Sequence, residues 1–263
     1  MIPRLVGSDL DGTLVRSDGT ISGRTRAAIA AVEAAGATFV MVTGRPTRWM
    51  TAIAEQTGHH GIAVCANGAV VYDLHAEQVI ESFLLPGEVG RQVAGALRAD
   101  IPGIAFAVER LDAPFSHESA YVPRWDSTDE RLQRPVEQLL AGDVVKLLAR
   151  HDNLGPDELL ALAEAVVGDS ATLTHSSTDG LLEISAAGVS KATGLAMLAA
   201  ERGVLHSEVV AFGDMPNDVP MLTWAGLGVA VANAHPSALQ AADEITASND
   251  EDGVAQVLDR WFS

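Results

Sequence analysis

The sequence predicts an α/β protein: a parallel-sheet core interrupted by an α+β insert. Two observations carry this. Short apolar runs alternate with capped helical patterns up to about residue 72 and again after residue 187, the rhythm of βαβ units around a parallel sheet. Between residues 83 and 186 the rhythm changes, with four strand candidates separated by three helical stretches, so one unit interrupts another.

In order along the chain, Leu5 to Ser8 is a short strand that runs straight into Asp9. Ser22 is placed to cap an alanine-rich helix reaching Ala35, and Gly36 to end it. Thr38 to Val42 reads as a second buried strand, followed by Thr43-Gly44-Arg45 and a helix starting near Pro46. A third strand, Ile62 to Ala66, leads through Asn67-Gly68 into a hairpin with Val70 to Tyr72. In the insert, strands are expected at 104–108, 144–149, 171–174 and 181–184, and helices at 88–99, 128–140 and 157–167. The α/β pattern then resumes with a Ser190-capped helix to Arg202, a strand Val209 to Phe212, a short helix 218–224, a strand Gly228 to Val231 and a last helix from Gly253 to Trp261. The expected domains are 1–82 with 187–263, and 83–186.

Composition narrows the function. A chain of 263 residues, 48% hydrophobic and 20% charged, can bury a substantial core. Its formal charge of -18 repels nucleic-acid backbones and anionic membranes, and residues 83 to 185 hold 17 acidic against 8 basic side chains. No apolar run approaches a membrane span or a secretory leader, so the protein is expected in the cytoplasm, without nucleic-acid or membrane partners, as a monomer or small homo-oligomer. The single cysteine, Cys65, lies in an apolar run and reads as a buried thiol. Trp49, Trp125, Trp224 and Trp261 read as packing residues.

The chemistry concentrates at strand ends, the ligand-binding edge of open α/β sheets. Asp9-Leu10-Asp11-Gly12-Thr13 places two carboxylates two residues apart at such an end, and like charges that close call for a cation. Asp214 and Asp218, in Gly213-Asp214-Met215-Pro216-Asn217-Asp218, follow another strand in the same way. Hard oxygen donors with room for water suit magnesium: Asp9, Asp214 and the Asp11 backbone carbonyl as ligands, with Asp218 holding a coordinated water or orienting a ligand. Thr43 and Lys191 add a hydroxyl and an ammonium, the donors that phosphoryl transfer requires around the equatorial oxygens.

The four segments DLDGT, VTGR, GVSK and GDMPND, in this order and each at a core element, resemble the haloacid dehalogenase-like (HAD) hydrolases over the whole core. The insert, Asn67-Gly68-Ala69 and Leu182-Glu183-Ile184 resemble the Cof-type subgroup. The resemblance implies a Rossmann-like catalytic core with a cap that selects the substrate, and a Mg2+-dependent phosphatase acting on small phosphorylated metabolites such as sugar phosphates. By the same resemblance Asp9 attacks phosphorus to form an aspartyl phosphate, and Asp11 serves as acid and then base. Thr43, Gly44, Lys191 and Asn217 hold the phosphoryl group, Arg45, Asn67 and Gly68 are candidate substrate contacts, and Mg2+ binds Asp9, Asp11 and Asp214. Ser8 departs from the bulky apolar residue common before the nucleophile, an expected matter of packing.

Simpler readings stand beside these. DLDGT alone is an Asp/Gly turn, Lys191 alone a solvated lysine, and Asp214 and Asp218 alone favour a helix start. Arg45 is either a substrate anchor or the partner of a carboxylate. Lys146 and His175, in the insert, either face the active site or are surface groups. A phosphomutase and a noncatalytic metabolite-binding protein are the competing functions.

Overall fold

The computed structural model describes residues 2–124 and 132–262. Trp125 and the first part of the helix expected at 128–140 lie outside them. The chain divides into two compact units, Met1–Glu81 with Ser190–Ser263, and Ser82–Val189. These boundaries fall one and three residues from those read in the sequence.

The first unit holds β1 (Leu5–Ser8), α1 (Gly23–Ala34), β2 (Thr38–Val42), α2 (Met50–Thr57), β3 (Ile62–Cys65), β4 (Val70–Asp73) and β5 (Gln78–Ser82), the last reaching the unit boundary. After the insert come α6 (Lys191–Glu201), β11 (Val209–Gly213), α7 (Val219–Trp224), β12 (Leu227–Ala230), α8 (Pro236–Ala241), β13 (Glu244–Ile245) and α9 (Gly253–Leu258). Among the described residues its sheet has the order β13-β12-β11-β1-β2-β3-β4-β5. Pairing is parallel from β13 to β3, and β4 turns back antiparallel to β3.

This topology places the site. β1 lies between β11 and β2 and parallel to both, so the turns that follow all three strands leave the same edge of the sheet. Leu5, Val6, Val40, Met41, Val42, Val210 and Phe212 have no measurable exposure, as expected for strands covered on both faces. Each such side chain contributes roughly 1.5–3 kcal/mol by leaving water.

The second unit begins with α3 (Gly87–Asp100), β6 (Ala105–Glu109), β7 (Ser116–His117) and α4 (Val136–Leu139). It continues with β8 (Lys146–Arg150), α5 (Pro156–Val167), β9 (Ala171–Thr174) and β10 (Leu181–Ala186). Its sheet, β7-β6-β8-β10-β9, is antiparallel throughout. One face, with Phe106, Val108, Leu147, Ala149, Leu182 and Ile184, packs in a core with residues of α3, α4 and α5. On the other, the register aligns Glu109 with Lys146, Ala107 with Leu148 and Glu183, and Ala105 with Arg150 and Leu181.

Several expectations change. The helix expected from Pro46 begins instead as a 3-10 turn, Thr47–Trp49, and becomes α-helical only at Met50. Pro46 has extended backbone there, and no side chain caps the turn. The 67–68 hairpin is closed by a 3-10 turn over Ala66–Gly68 rather than a two-residue turn, with Ala66 and Asn67 both at positive φ. Within the described residues the 128–140 helix reduces to Val136–Leu139, which follows Pro135. β5, β7, β13 and α8 had no counterpart in the sequence reading. Lys146 and His175 are not surface groups: both are buried, Lys146 against Glu183 at 2.5 Å and His175 against Asp157 at 2.8 Å.

Candidate functional site

Asp9 directly follows β1, and its backbone N–H donates to Phe212 of β11 at 2.9 Å, as if the strand ran one residue further. Its side chain is 7% exposed and accepts from Lys191 Nζ at 2.6 Å. Lys191 is the first residue of α6, whose start is fixed by Thr193 Oγ1 accepting from the Ser190 N–H at 3.1 Å. The ammonium is 1% exposed and divides itself between Asp9 and Asp218 Oδ1, the latter also at 2.6 Å. Asp218 commits its other oxygen to the N–H groups of Asp214 and Met215, at 3.0 and 2.9 Å. It therefore both orients Lys191 and folds the loop that presents Asp214.

Asp9, Asp214 and Asp218 each offer a carboxylate oxygen, and these oxygens lie within 4.8 Å of one another. Burial pushes the Asp9 carboxyl well above the usual carboxylate range; Lys191 pulls the other way, and Asp218, Asp214 and Asp11 add to the rise. Burial likewise raises Asp214 to about 6, helped by the Asp218 charge and opposed by the Thr13 hydroxyl. Burial disfavours the Lys191 ammonium, but Asp218 and Asp9 outweigh it and its pKa goes up. Three buried carboxylates around one ammonium leave an excess of negative charge. Hard oxygen donors under that excess fit a small divalent cation.

Asp11 stands apart from this cluster. Its side chain is 57% exposed, and Arg45 grips both oxygens, Nε to Oδ2 at 2.8 Å and Nη2 to Oδ1 at 2.5 Å. Arg45 thus has a carboxylate partner in Asp11. Gly12, at φ +80°, turns the chain between Asp11 and Thr13, and a Cβ there would stand 2.3 Å from Asp214 Oδ2. The turn and the Asp214 carboxylate are thus in direct contact.

Thr43 follows β2 and is buried, its N–H on Val64 O at 2.8 Å and its hydroxyl accepting from the Arg45 N–H at 3.0 Å. Gly44 beside it is half-buried. Asn67 adopts a left-handed conformation, φ 59°, ψ 34°, and its N–H donates to Thr43 O at 3.0 Å. Its carboxamide oxygen accepts from Asn217 Nδ2 at 3.0 Å, and both side chains are buried. Gly68, at φ +99°, passes so close to the start of α6 that a Cβ would meet Ser190 O at 1.9 Å. The turns after β2 and β3 and the start of α6 are therefore one packed assembly.

Thr13 was missed in the sequence beyond its place in DLDGT. Its hydroxyl donates to Asp214 Oδ1 at 2.8 Å and is buried. Its position one residue past the Gly12 turn was the available signal.

The model of the haloacid dehalogenase-like hydrolases matches residues 6–258. The chain belongs to this family. As a HAD-like hydrolase it is 28% identical, over 98% of its length and 95% of the relative's, to 5-amino-6-(5-phospho-D-ribitylamino)uracil phosphatase YcsE of Bacillus subtilis. It is 32% identical, over 96% of its length, to the chloroplastic endoribonuclease YBEY of Arabidopsis thaliana, but spans only 45% of that protein. Its fold matches that of BT1666 from Bacteroides thetaiotaomicron, studied among phosphatases of the HAD superfamily, with a TM-score of 0.81 at 24% identity over 99% of this chain and 95% of that one. Among the described residues no helix is long and apolar enough to cross a membrane.

Proposed function

We propose that this HAD-like hydrolase is a Mg2+-dependent phosphatase that cleaves a small phosphorylated metabolite, of the sugar-phosphate kind, through an aspartyl phosphate on Asp9. The observation that carries the proposal is the cluster of Asp9, Asp214 and Asp218 around Lys191 at the carboxyl edge of the sheet. The 5-phosphoribityl group in the name of the Bacillus subtilis relative supports a polyol-like phosphate ester.

In this reading Asp9 supplies the nucleophilic oxygen, and the P–O bond to the leaving group breaks as the Asp9–phosphorus bond forms. Lys191, Thr43, the Gly44 backbone and Asn217 hold the phosphoryl oxygens. Asp11, the exposed member of the pair, in its protonated form gives a proton to the departing alkoxide and becomes a carboxylate. It then takes one from the water that attacks the phosphoaspartate, regenerating Asp9 and releasing inorganic phosphate. Arg45, which holds both Asp11 oxygens in the substrate-free site, would release one of them to carry that proton and keep the other oriented, while Asn67 and Gly68 lie against the phosphoryl donors as substrate contacts. Asp9, Asp214 and the Asp11 backbone carbonyl would bind magnesium, with Asp218 positioned behind them. The cation supplies charge neutralisation, offsetting the carboxylate excess so that an anionic ester can approach Asp9. Substrate choice resides in residues 83–186, and the protein works in the cytoplasm.

The test is phosphate release from a panel of phosphorylated metabolites with Mg2+, comparing kcat/KM. Release that needs Mg2+ and vanishes in Asp9→Asn supports the reading. A hexose 1-phosphate converted to its isomer without phosphate release would make the protein a phosphomutase. No turnover of any ester would leave a metabolite-binding role.

A further inference from the structure

The turn that carries Asp11 is closed on a single carbonyl: Leu10 O accepts from the N–H groups of Thr13, Leu14 and Val15 at 3.2, 2.9 and 2.8 Å. The Gly12 carbonyl is left outside this closure, and Asn233 Nδ2 donates to it at 2.7 Å. Asn233 Oδ1 accepts from the Asn249 N–H at 3.0 Å, and Asn249 Nδ2 donates to Val15 O at 2.9 Å. Since one partner of Asn233 only accepts and the other only donates, its carboxamide has one orientation. Two residues on, the His235 N–H donates to Asp214 O at 2.7 Å. The short segment after β12 therefore touches both acidic turns at once, by a side chain on one and by its backbone on the other.

We propose that Asn233 is a positioning residue, which sets the approach of the Asp11–Gly12 turn to Asp214 and so the spacing of the cation's ligands. This rests on the metal-dependent phosphatase reading. Gly12 lies against the Asp214 carboxylate with no room for a single added carbon, and Thr13 bonds that same carboxylate. Rotation of the Gly12 peptide consequently displaces a ligand group directly. Asn249 holds the far end of the same turn, so the two carboxamides act as one clamp.

The test uses Asn233→Ala and Asn249→Ala, both neutral, so neither alters the charge around the carboxylates. Mn2+ binding to the full chain is followed by electron paramagnetic resonance without substrate, alongside kcat, KM and thermal unfolding of the metal-free protein. In N233A the Mn2+ dissociation constant is expected to rise and kcat to fall, each about tenfold, with KM within about twofold and little change in unfolding midpoint; N249A moves the same way by less. Mn2+ affinity and kcat within twofold of wild type in both variants would overturn the proposal, as would a loss confined to KM, which would make Asn233 a substrate contact. Wild-type protein that binds Mn2+ in an Asn233-dependent way yet hydrolyses no ester would sink the phosphatase reading alone and leave the positioning role standing.

Discussion

The chain has two lysines, Lys191 in the first unit and Lys146 in the second, and both are buried against carboxylates. Their surroundings differ in one respect that separates a candidate reaction centre from a structural ion pair. Lys191 faces Asp9 and Asp218, with Asp214 beside them: three carboxylates to one ammonium. Lys146 meets Glu183, which also accepts from Ser176 at 2.6 Å, and the same sheet face carries buried Glu109 and Arg150, two acids to two bases along these strands among the described residues. Burial of charge is common to the two regions. Imbalance of charge marks the first, and it creates a demand for a cation that the four charges described along the second sheet do not.

The comparison can be broken most severely at Asp9. Asp9→Asn keeps the shape and removes the proposed nucleophile, and phosphate release should fall by about three orders of magnitude or more. The corresponding change in the balanced region, Lys146→Met, should act on stability instead. A buried carboxylate stripped of its partner costs roughly 3–5 kcal/mol, and the double variant Lys146→Met/Glu183→Leu should recover much of that. Denaturant unfolding of the single and double variants reads this out. A double variant no more stable than the single would mean that the pair is tied into a wider network.

Metal provides the next contrast. Mg2+ at about one hundred times its dissociation constant should stabilise the protein by about 2.7 kcal/mol. The shift in melting temperature should disappear in Asp214→Asn and persist in the Lys146→Met/Glu183→Leu double variant. An equal shift in all three proteins would place the ion elsewhere.

The smallest effect is that of pH on the metal-free protein. The Asp214 carboxyl is raised to about 6, so the folded state holds its proton more tightly than the unfolded chain, whose carboxyl titrates near 3.8. That contribution to stability is present below the unfolded value and is lost as pH rises through about 6. Asp9, also raised, acts in the same direction. Melting curves of metal-free protein between pH 4.5 and 7.5 should slope more steeply downward in wild type than in Asp214→Asn. Saturating Mg2+ should flatten the difference, because the cation replaces the proton.

The sequence was legible where local pattern and tertiary role coincide. β1, β2 and β11 are buried on both faces, so apart from Ser8 and Thr38 they read as short runs without polar side chains, followed directly by Asp9, Thr43 and Asp214. β5 was not readable because Gln78 to Glu81 are exposed, and β7 and β13 are two residues long and owe their conformation to a neighbouring strand. In the insert, Lys146 through Arg150 are all buried, which erases the alternation that would have marked Lys146 as inward-facing. The same limit applies around the acidic cluster. The motif residues could be named from their order along the chain, whereas the bonds from Thr13 to Asp214 and from Asn233 to Gly12 join loops about two hundred residues apart and leave no local signature.

The scarcity of lysine has a practical consequence. An endoprotease that cleaves only after lysine has one target in each unit, and in the native protein both are shielded. A cut at residue 146 reports that the insert has opened, and one at 191 reports that the helix beside Asp9 has come loose. Band patterns over time would thus rank the local lifetimes of the two units in an unlabelled sample, with Mg2+ expected to delay only the second cut.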